Sequence, residues 1–263
     1  MPVVFATITP HPPILIEGIG KGKKSIINKT VNSLIKIEED LYISKPDVIV
    51  VISPHSDIFD NVFSVNLCEN FVSNYEKFGD FSTQNSWTGE IILPYILKEK
   101  AYERNIPVQL LTEHKLDHGT SIPLVTLASH LQNIKILPIG NANLEPKSQL
   151  EFGQLLYDIF SNSEKRIAIV ASADLSHSLN NNSPAGFHKA GQEFDEKIIE
   201  LLEAHNTVGI TQIDSKIIKD SNQCGYNSIL ILLGCLKNIN YTFKNLSYET
   251  VLGVGYLTGE FIF

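Results

Sequence analysis

Residues 48–59, VIVVISPHSDIF, join an apolar and β-branched run to a proline and then to His55. An unbroken run of this kind is typical of a strand that is buried on both faces of a parallel sheet. Residues 5–15, FATITPHPPIL, repeat the order of strand, proline and histidine at His11. In open α/β sheets, the loops at the carboxyl ends of the strands line the crevice that binds ligands. Two histidines on two such loops can bind one ion, so the pair predicts a metal site.

Three further polar clusters stand beside predicted strands or helices. LDHGTSIPL places Asp117 and His118 before an apolar helical segment. RIAIVASADLSH places Asp174 and His177 after an apolar strand. QCGYNSILILLGCL places Cys224 at the start of a helix, where we expect the helix dipole to lower the pKa of the thiol. All three clusters are predicted to reach one site at one edge of a sheet.

Strand-like apolar runs alternate with helix-like segments along the chain. This pattern predicts an α/β fold with a central, largely parallel or mixed sheet flanked by helices. No repeat or linker divides the chain, so we expect a single domain over residues 1–263. The predicted strands are 3–8, 47–53, 62–67, 108–111, 134–139, 167–171, 240–243 and 248–263. The predicted helices are 23–42, 88–103, 122–131, 149–161, 188–203 and 225–236.

The composition argues against several classes of protein. The chain has 263 residues, a formal net charge of −8 and 43% hydrophobic residues. The negative charge argues against a nucleic-acid partner, because proteins that bind nucleic acid present a concentrated basic surface. No apolar run reaches the ~20 residues that span a bilayer, and three scattered cysteines fit no disulfide framework. We therefore expect a cytoplasmic protein without a membrane partner.

The residues around Asp174 leave more than one function open. The segment with Ser172, Asp174, Ser176 and His177 contains the residue types of a hydrolytic triad, yet triad members usually come from separate elements and no GxSxG elbow is present. His177 fits better as a general acid or base, because an ordinary histidine titrates near working pH. A histidine that only caps its loop is the alternative. NNNSP at residues 180–184 is a candidate lid, and Tyr226 is placed near the pocket.

Six of these segments, in order along nearly the whole chain, resemble the class III extradiol dioxygenase superfamily, whose members have the LigB-like fold. Within that superfamily the chain is most similar to the branch that contains the Memo proteins and the AmmeMemoRadiSam system proteins. The segments are PHPPI at 10–14, SPHS at 53–56, LDHGTSIPL at 116–124, SADLSH at 172–177, CGYNS at 224–228 and YETVLGVGYLTGEF at 248–261.

The resemblance implies roles for the site residues. His11 and His55 would bind an iron(II) ion, which holds a small catecholic aromatic substrate and O₂ side by side. His177 would be the acid or base that assists oxygen insertion. His118, which would line the substrate pocket, and Asp174 are further catalytic candidates. Two histidines and one carboxylate suit non-haem iron(II), because they leave positions open for substrate and O₂.

The third metal ligand departs from the ring-cleaving members of the superfamily. Those members supply a glutamate at the start of the late helix, whereas this chain has Cys224 there, as in the Memo-like branch. A thiolate is a softer donor than a carboxylate, and it would also suit Zn²⁺ or copper. Glu249, which lies in a different segment, is the alternative carboxylate.

Three functions remain open on this basis. The first is an extradiol ring-cleaving dioxygenase that acts on a small aromatic diol with O₂. The second is a Memo-like metal-binding protein with another redox or biosynthetic task beside a radical-SAM partner, and Cys224 favours it. The third is a metal-assisted hydrolase on the same scaffold. The resemblance also suggests a homodimer.

Overall fold

A computed structural model describes residues 2–56 and 59–263 of the chain. The strands are β1 (Val3–Thr9), β2 (Val48–Ser53), β3 (Phe63–Asn66), β4 (Asn70–Ser73), β5 (Ser86–Gly89), β6 (Val108–Leu111), β7 (Lys115–Leu116), β8 (Lys135–Gly140), β9 (Ile167–Ser172), β10 (Thr242–Val251) and β11 (Val254–Ile262). The α-helices are α1 (Glu17–Gly20), α2 (Asn28–Ser44), α3 (Ile92–Glu103), α4 (His118–Leu127), α5 (Pro146–Ser161), α6 (Lys189–Glu203), α7 (Thr207–Thr211), α8 (Ser215–Asp220) and α9 (Tyr226–Cys235). Short 3-10 helices lie at Pro13–Leu15, Lys24–Ile27 and Glu76–Phe78.

One mixed sheet contains all of these strands. Its main path runs β10, β11, β1, β9, β2, β8, β5, β4, β7, while β3 pairs with β8 and β6 pairs with β3. The four central strands β1, β9, β2 and β8 are mutually parallel. The pairs of β11 with β1 and of β3 with β8 are antiparallel. The predicted α/β fold with a largely parallel or mixed sheet is confirmed.

Helices cover both faces of this sheet. The helices α2 and α4 pack on one face, against side chains such as Phe5 and Val51. The helices α3, α5, α6 and α9 pack on the other, where the rings of Phe63 and Phe152 stack with their centroids 4.0 Å apart. Because both faces are buried, the central strands carry the uninterrupted apolar runs that identified them. No helix in the described part of the chain is long and apolar enough to cross a membrane.

The register of the central strands brings the site residues together. Thr9 at the end of β1 pairs with Ser172 at the end of β9. Ser53 at the end of β2 pairs with Gly140 at the end of β8. The four strands therefore finish at one edge of the sheet, and their loops begin side by side there.

Several predicted helices start at other residues in the structure, and for two of them a side-chain hydrogen bond explains the difference. The predicted helix 88–103 begins only at Ile92, and Ser86–Gly89 forms strand β5 instead. The Glu90 side chain accepts a hydrogen bond from the Ile92 N–H at 2.8 Å and so marks the start of α3. The predicted helix 122–131 begins earlier, at His118, because the Asp117 carboxylate caps it by accepting from the Thr120 N–H.

The two predicted closing strands form one hairpin. β10 and β11 pair in antiparallel fashion from Thr242 to Ile262. Their turn lies at Leu252 and Gly253, which have φ angles of 52° and 78°. Two consecutive positive φ angles match the tight turn that suits the twist of a hairpin, and glycine adopts such an angle without strain. The predicted end of the first closing strand at residue 243 is therefore wrong, because that strand continues to Val251.

Candidate metal centre

Two histidines from neighbouring strand ends form the middle of the site. His11 follows β1 and is 1% exposed, and His55 follows β2. Their Nε2 atoms are 3.0 Å apart, and their ring planes meet at 89°. Metal–nitrogen bonds of about 2.1 Å in a tetrahedral site separate two nitrogens by about 3.4 Å. The two nitrogens are therefore spaced and oriented as ligands of one ion.

The hydrogen bond of His11 Nδ1 leaves the lone pair of Nε2 available to bind a metal ion. His11 Nδ1 lies 2.8 Å from Ser172 Oγ, and that hydroxyl donates to the Gly119 carbonyl oxygen at 2.5 Å. Because the hydroxyl proton is used there, Ser172 Oγ accepts from His11 Nδ1–H. A neutral imidazole protonated at Nδ1 has its lone pair on Nε2. The sequence thus provides the outer hydrogen bond that orients a metal-binding histidine.

Burial keeps both histidines neutral. It is the main cause that lowers the pKa of His11 well below the ordinary value, and His55, His118 and His177 lower it further. Burial, followed by the nearby His118, lowers the pKa of His55 to about 4. Only the neutral imidazole binds a metal ion. Both side chains are therefore in the metal-binding form at neutral pH.

His118 joins the same cluster but has a different orientation. One ring nitrogen each from His11, His55 and His118 lies within 4.8 Å of the others, a grouping that could hold an ion. The rings of His118 and His55 are stacked, with centroids 4.2 Å apart and planes only 23° from parallel. An ion lies in the plane of each ligating imidazole, and such planes meet far from either nitrogen. We therefore place His118 beside the ion, as a wall of the pocket.

Cys224 approaches the histidine pair from the segment before α9. Its Sγ lies 3.6 Å from His11 Nε2 and 3.6 Å from the Asp174 carbonyl oxygen. A nitrogen and a sulfur bound to one tetrahedral ion are about 3.5 Å apart. Burial, followed by the charge of Asp174, raises the pKa of the Cys224 thiol well above its ordinary value. The expectation that the helix dipole lowers this pKa is therefore wrong, since desolvation of the thiolate is the larger effect.

Asp174 and His177 also lie close to His11. The His11 N–H donates to Asp174 Oδ1 at 2.8 Å, while Asp174 Oδ2 lies 3.6 Å from His11 Nε2 and 4.0 Å from His177 Nε2. Burial raises the pKa of Asp174 to about 7 and lowers the pKa of His177 below its ordinary value. A carboxyl group that exchanges its proton near neutral pH thus lies beside an imidazole that burial keeps neutral.

Ser172 is unsuited to the role of a hydrolytic nucleophile. It is fully buried, and its hydroxyl is held between the Gly119 carbonyl oxygen and His11 Nδ1. A nucleophilic serine needs a general base that takes its proton. The neighbouring ring nitrogen of His11 instead donates to it. This arrangement argues against the triad of Ser172, Asp174 and His177.

Two predicted side chains lie elsewhere, and one was missed. Glu249 Oε1 accepts a hydrogen bond from the Thr30 N–H of α2 at 2.6 Å, so this carboxylate is engaged with that helix. Tyr226 is 3% exposed and its hydroxyl donates a hydrogen bond to the Ile210 carbonyl oxygen, so its predicted place near the pocket is wrong.

The missed residue is Tyr256, which lies opposite Asp174 in a β-bridge. Burial raises the pKa of Tyr256, and Asp174 and Cys224 raise it further. Its GYLTG context gave no signal of this proximity.

A cavity of about 550 Å³ opens beside the histidines. His55, Asp117 and His118 line it, and the Phe78 ring meets the His118 ring edge-on with centroids 5.1 Å apart. The remaining lining residues are Ser56, Ser64, Asn66, Asn74, Glu76, Lys77, Leu111, Glu113, Lys115, Leu116, Pro138 and Gly140. A volume of this size accommodates a small ligand.

The candidate lid at residues 180–184 packs beside the closing hairpin. Ser183 Oγ accepts from the Asn180 N–H at 2.8 Å and donates to the Gly253 carbonyl oxygen at 2.9 Å. The segment is therefore attached to the β10–β11 turn, and movement over the site stays a prediction.

Comparison with known proteins identifies the family. Residues 5–259 match the family model described as the catalytic LigB subunit of aromatic ring-opening dioxygenase. Protein CA_C1420 of Clostridium acetobutylicum is 28% identical over 258 residues, which cover 95% of this chain and 55% of that protein. A MEMO1 family protein of Methanosarcina mazei is 28% identical over 127 residues, or 48% of this chain and 44% of that protein. The chain thus spans about half the length of the curated relatives it matches.

Solved structures support the same fold. An uncharacterized protein, JW3007 from Escherichia coli K12, superposes with a TM-score of 0.70 at 19% identity, covering 98% of this chain and 99% of that one. This superposition supports the fold described above, and nearly the whole chain matches the family model. The chain belongs to the LigB family, and its relatives include proteins of the MEMO1 family.

Proposed function

We propose that this protein is a metal-dependent oxidoreductase that opens the ring of a small catecholic aromatic with O₂. The observation that carries the proposal is the pair of converging nitrogens on His11 and His55 beside a cavity of about 550 Å³. Cys224 is the proposed third ligand, because its sulfur has the spacing of a ligand from His11 Nε2. Iron(II) is the proposed ion, and Zn²⁺ or copper is the alternative that a thiolate would also suit.

The proposed reaction gives separate roles to the bound ion, to the groups that transfer protons and to the rings that hold the substrate. The bound ion would supply the site at which a diol and O₂ meet. The ring carbon–carbon bond beside a hydroxylated carbon breaks and both oxygen atoms enter the product, so no external reductant is needed. His177 Nε2 would accept the proton of a substrate hydroxyl and return it later. Asp174, with a pKa of about 7, lies 4.0 Å from that nitrogen, and its ionised form would stabilise the protonated His177 ring by charge. His118 and Phe78 would hold the aromatic ring.

Oxygen uptake tests this proposal. The purified protein would be loaded with Fe²⁺ without air and then mixed with a panel of catechols in an oxygen electrode. We expect substrate-dependent uptake, with one O₂ per diol consumed, and its loss in His11→Ala and His55→Ala together with the metal. His130→Ala is the matched control, since His130 is 74% exposed and pairs with Glu38 away from the site. Full metal occupancy in both strand-end variants would contradict the proposed site.

A Memo-like task beside a radical-SAM partner is the second candidate. Two points favour it: by the resemblance, Cys224 stands where ring-cleaving members of the superfamily have a glutamate, and relatives carry the MEMO1 name. Stoichiometric metal binding without catechol-dependent oxygen uptake would support this candidate over the first. Metal-dependent cleavage of an ester panel without oxygen uptake would support a metal-assisted hydrolase. Sedimentation velocity would test the proposed homodimer.

A further inference from the structure

The neighbourhood of His177 determines which of its ring nitrogens carries the proton. His177 Nδ1 lies 2.7 Å from the carbonyl oxygen of Asn222. A carbonyl oxygen only accepts hydrogen bonds, so Nδ1 must be the protonated nitrogen and the donor. In the neutral ring, Nε2 then keeps its lone pair, and it is Nε2 that faces Asp174 Oδ2 at 4.0 Å. The contact with Asn222 therefore selects the nitrogen available for proton transfer.

The Asn222 carbonyl is held in place by an uncommon backbone conformation. Asn222 has φ of 50°, in the left-handed region that most side chains avoid and asparagine tolerates. Its Nδ2 donates to Ser178 Oγ at 3.0 Å and to the Asp220 carbonyl oxygen at 3.2 Å. The asparagine thus joins the turn before Cys224 to the segment that follows His177.

The backbone around this contact is tied by two further hydrogen bonds. The His177 N–H and the Ser176 hydroxyl both donate to the Ser221 carbonyl oxygen, at 3.2 Å and 2.8 Å. These bonds hold the peptide before Asn222 against the peptide before His177. The Asn222 carbonyl then needs only the left-handed turn to reach the imidazole.

We propose that Asn222 is a positioning residue, which fixes His177 as the Nδ1–H tautomer and so presents the Nε2 lone pair to the metal centre. The effect on turnover rests on the proposed function, in which His177 transfers a proton. The tautomer itself is a property of the metal-free protein. It can therefore be measured whether or not the ring-opening activity exists.

A turn with only a structural role would behave differently. Asn105, after α3, has a similar φ of 56°, and its N–H donates to the Tyr102 carbonyl oxygen far from any site histidine. Valine is strongly disfavoured in the left-handed region because it is β-branched. Asn105→Val and Asn222→Val therefore impose the same kind of backbone strain, but only the second should move the carbonyl that contacts His177.

Nitrogen NMR of ¹⁵N-histidine-labelled, metal-free protein at neutral pH tests the proposal, with His177→Gln used to assign the His177 signals. We expect protonated Nδ1 and bare Nε2 in the wild type and in Asn222→Gly, since glycine keeps the left-handed turn. Asn222→Val should shift His177 towards the Nε2–H form, and Asn105→Val should not. In oxygen uptake, kcat of Asn222→Val should fall about tenfold or more at unchanged metal content.

Two results would overturn the inference: a His177 that carries its proton on Nε2 in the wild type, or an unchanged tautomer in a folded Asn222→Val. If Asn222→Val does not fold, Asn222→Ala replaces it, because alanine is less disfavoured at this angle. A normal tautomer pattern in a protein without oxygen uptake would leave this inference standing and reject the dioxygenase proposal alone.

Discussion

The start of α4 and the loop after β9 contain the same two residue types in different surroundings. At α4, the Asp117 carboxylate accepts hydrogen bonds from Ser53 Oγ, the Thr120 N–H and the Thr120 hydroxyl, at 2.6 to 2.9 Å. After β9, Asp174 accepts one backbone hydrogen bond, from His11, and burial raises its pKa to about 7. The comparison shows that a carboxylate with all its partners stabilises a helix start, whereas a poorly solvated one is available to exchange protons.

The histidines of the two segments should differ most in turnover. His177→Ala should lower kcat by roughly 10² to 10⁴-fold at unchanged metal content, because a general acid or base contributes about that much. His118→Ala should mainly raise KM, since its ring forms a wall of the cavity. Steady-state oxygen uptake with metal analysis measures both effects. Loss of the ion from His177→Ala would make His177 a ligand, and an unchanged kcat would remove its catalytic role.

Cys224 as the third ligand should make metal binding release a proton, whereas His118 or Asp174 in that role would not. The thiol is protonated in the metal-free protein because burial raises its pKa. At about pH 8, binding through the thiolate should therefore release about one proton, whereas His118 or an already ionised Asp174 as third ligand would release almost none. Calorimetry of Zn²⁺ binding in buffers of different ionisation enthalpy measures this number.

Variants of the cysteine sharpen the same test. Cys224→Ser should weaken binding by about tenfold or more, because a neutral hydroxyl is a poor donor. Cys224→Glu would restore two histidines and a carboxylate, and we expect it to bind iron(II). Cys235→Ser is the matched control, since Cys235 is buried within α9. Unchanged affinity in Cys224→Ser would exclude the thiol as a ligand.

A second buried carboxylate, that of Asp195, holds the loop after β9 by a hydrogen bond, and its raised pKa should make stability depend on pH. Asp195 accepts from the Ser176 N–H and from the Tyr248 hydroxyl, and burial raises its pKa from 3.8 to about 7. Between these values the folded state holds a proton that the unfolded state has lost. The contribution of Asp195 to stability is therefore largest below about pH 4, and it declines until about pH 7.

The difference between Asp195→Asn and the wild type isolates this effect from the buried histidines, whose lowered pKa values act in the opposite direction. The free energy of unfolding of the variant, minus that of the wild type, should rise between about pH 4 and 7, with a slope of at most about 1.4 kcal/mol per pH unit. Urea unfolding across this range measures it. A flat difference would contradict the raised pKa.

The sequence predicted the parts of this arrangement that depend on long apolar runs. The strands that carry His11, His55 and Asp174 were located because each is buried on both faces. The strands β4, β5 and β7 were missed, because NFVS, SWTG and KL are short and do not lie in apolar runs. The equally short β3 and β6 were located because apolar residues predominate in 62–67 and 108–111. The same holds for the short helices α7 and α8.

The sequence predicted which residues form the site better than it predicted how their side chains are arranged. Loop positions at strand ends indicated His11 and His55, but the stacking of His118 on His55 depends on the Asp117 cap, which begins α4 earlier than its apolar run suggests. The direction of the Cys224 pKa shift could not be predicted either. It depends on burial beside Asp174, which comes from another part of the chain.

The smallest expected effect concerns Asp117, whose role in the comparison is structural. Asp117→Ala removes the cap of α4 and the acceptor of Ser53 Oγ, so the free energy of unfolding should fall by about 1–2 kcal/mol. Asp214→Ala removes the exposed cap of α8 and should cost about 0.5 kcal/mol, which makes it the matched control. Urea unfolding of the metal-free proteins compares the two.

Metal affinity should change with stability at Asp117. Ser53 Oγ also accepts a hydrogen bond from the His55 N–H, so the larger loss of stability in Asp117→Ala should come with a modest loss of metal affinity, below about tenfold. Equal stability losses for the two caps would mean that the hydrogen bond from Ser53 adds nothing, and that the start of α4 is an ordinary helix end.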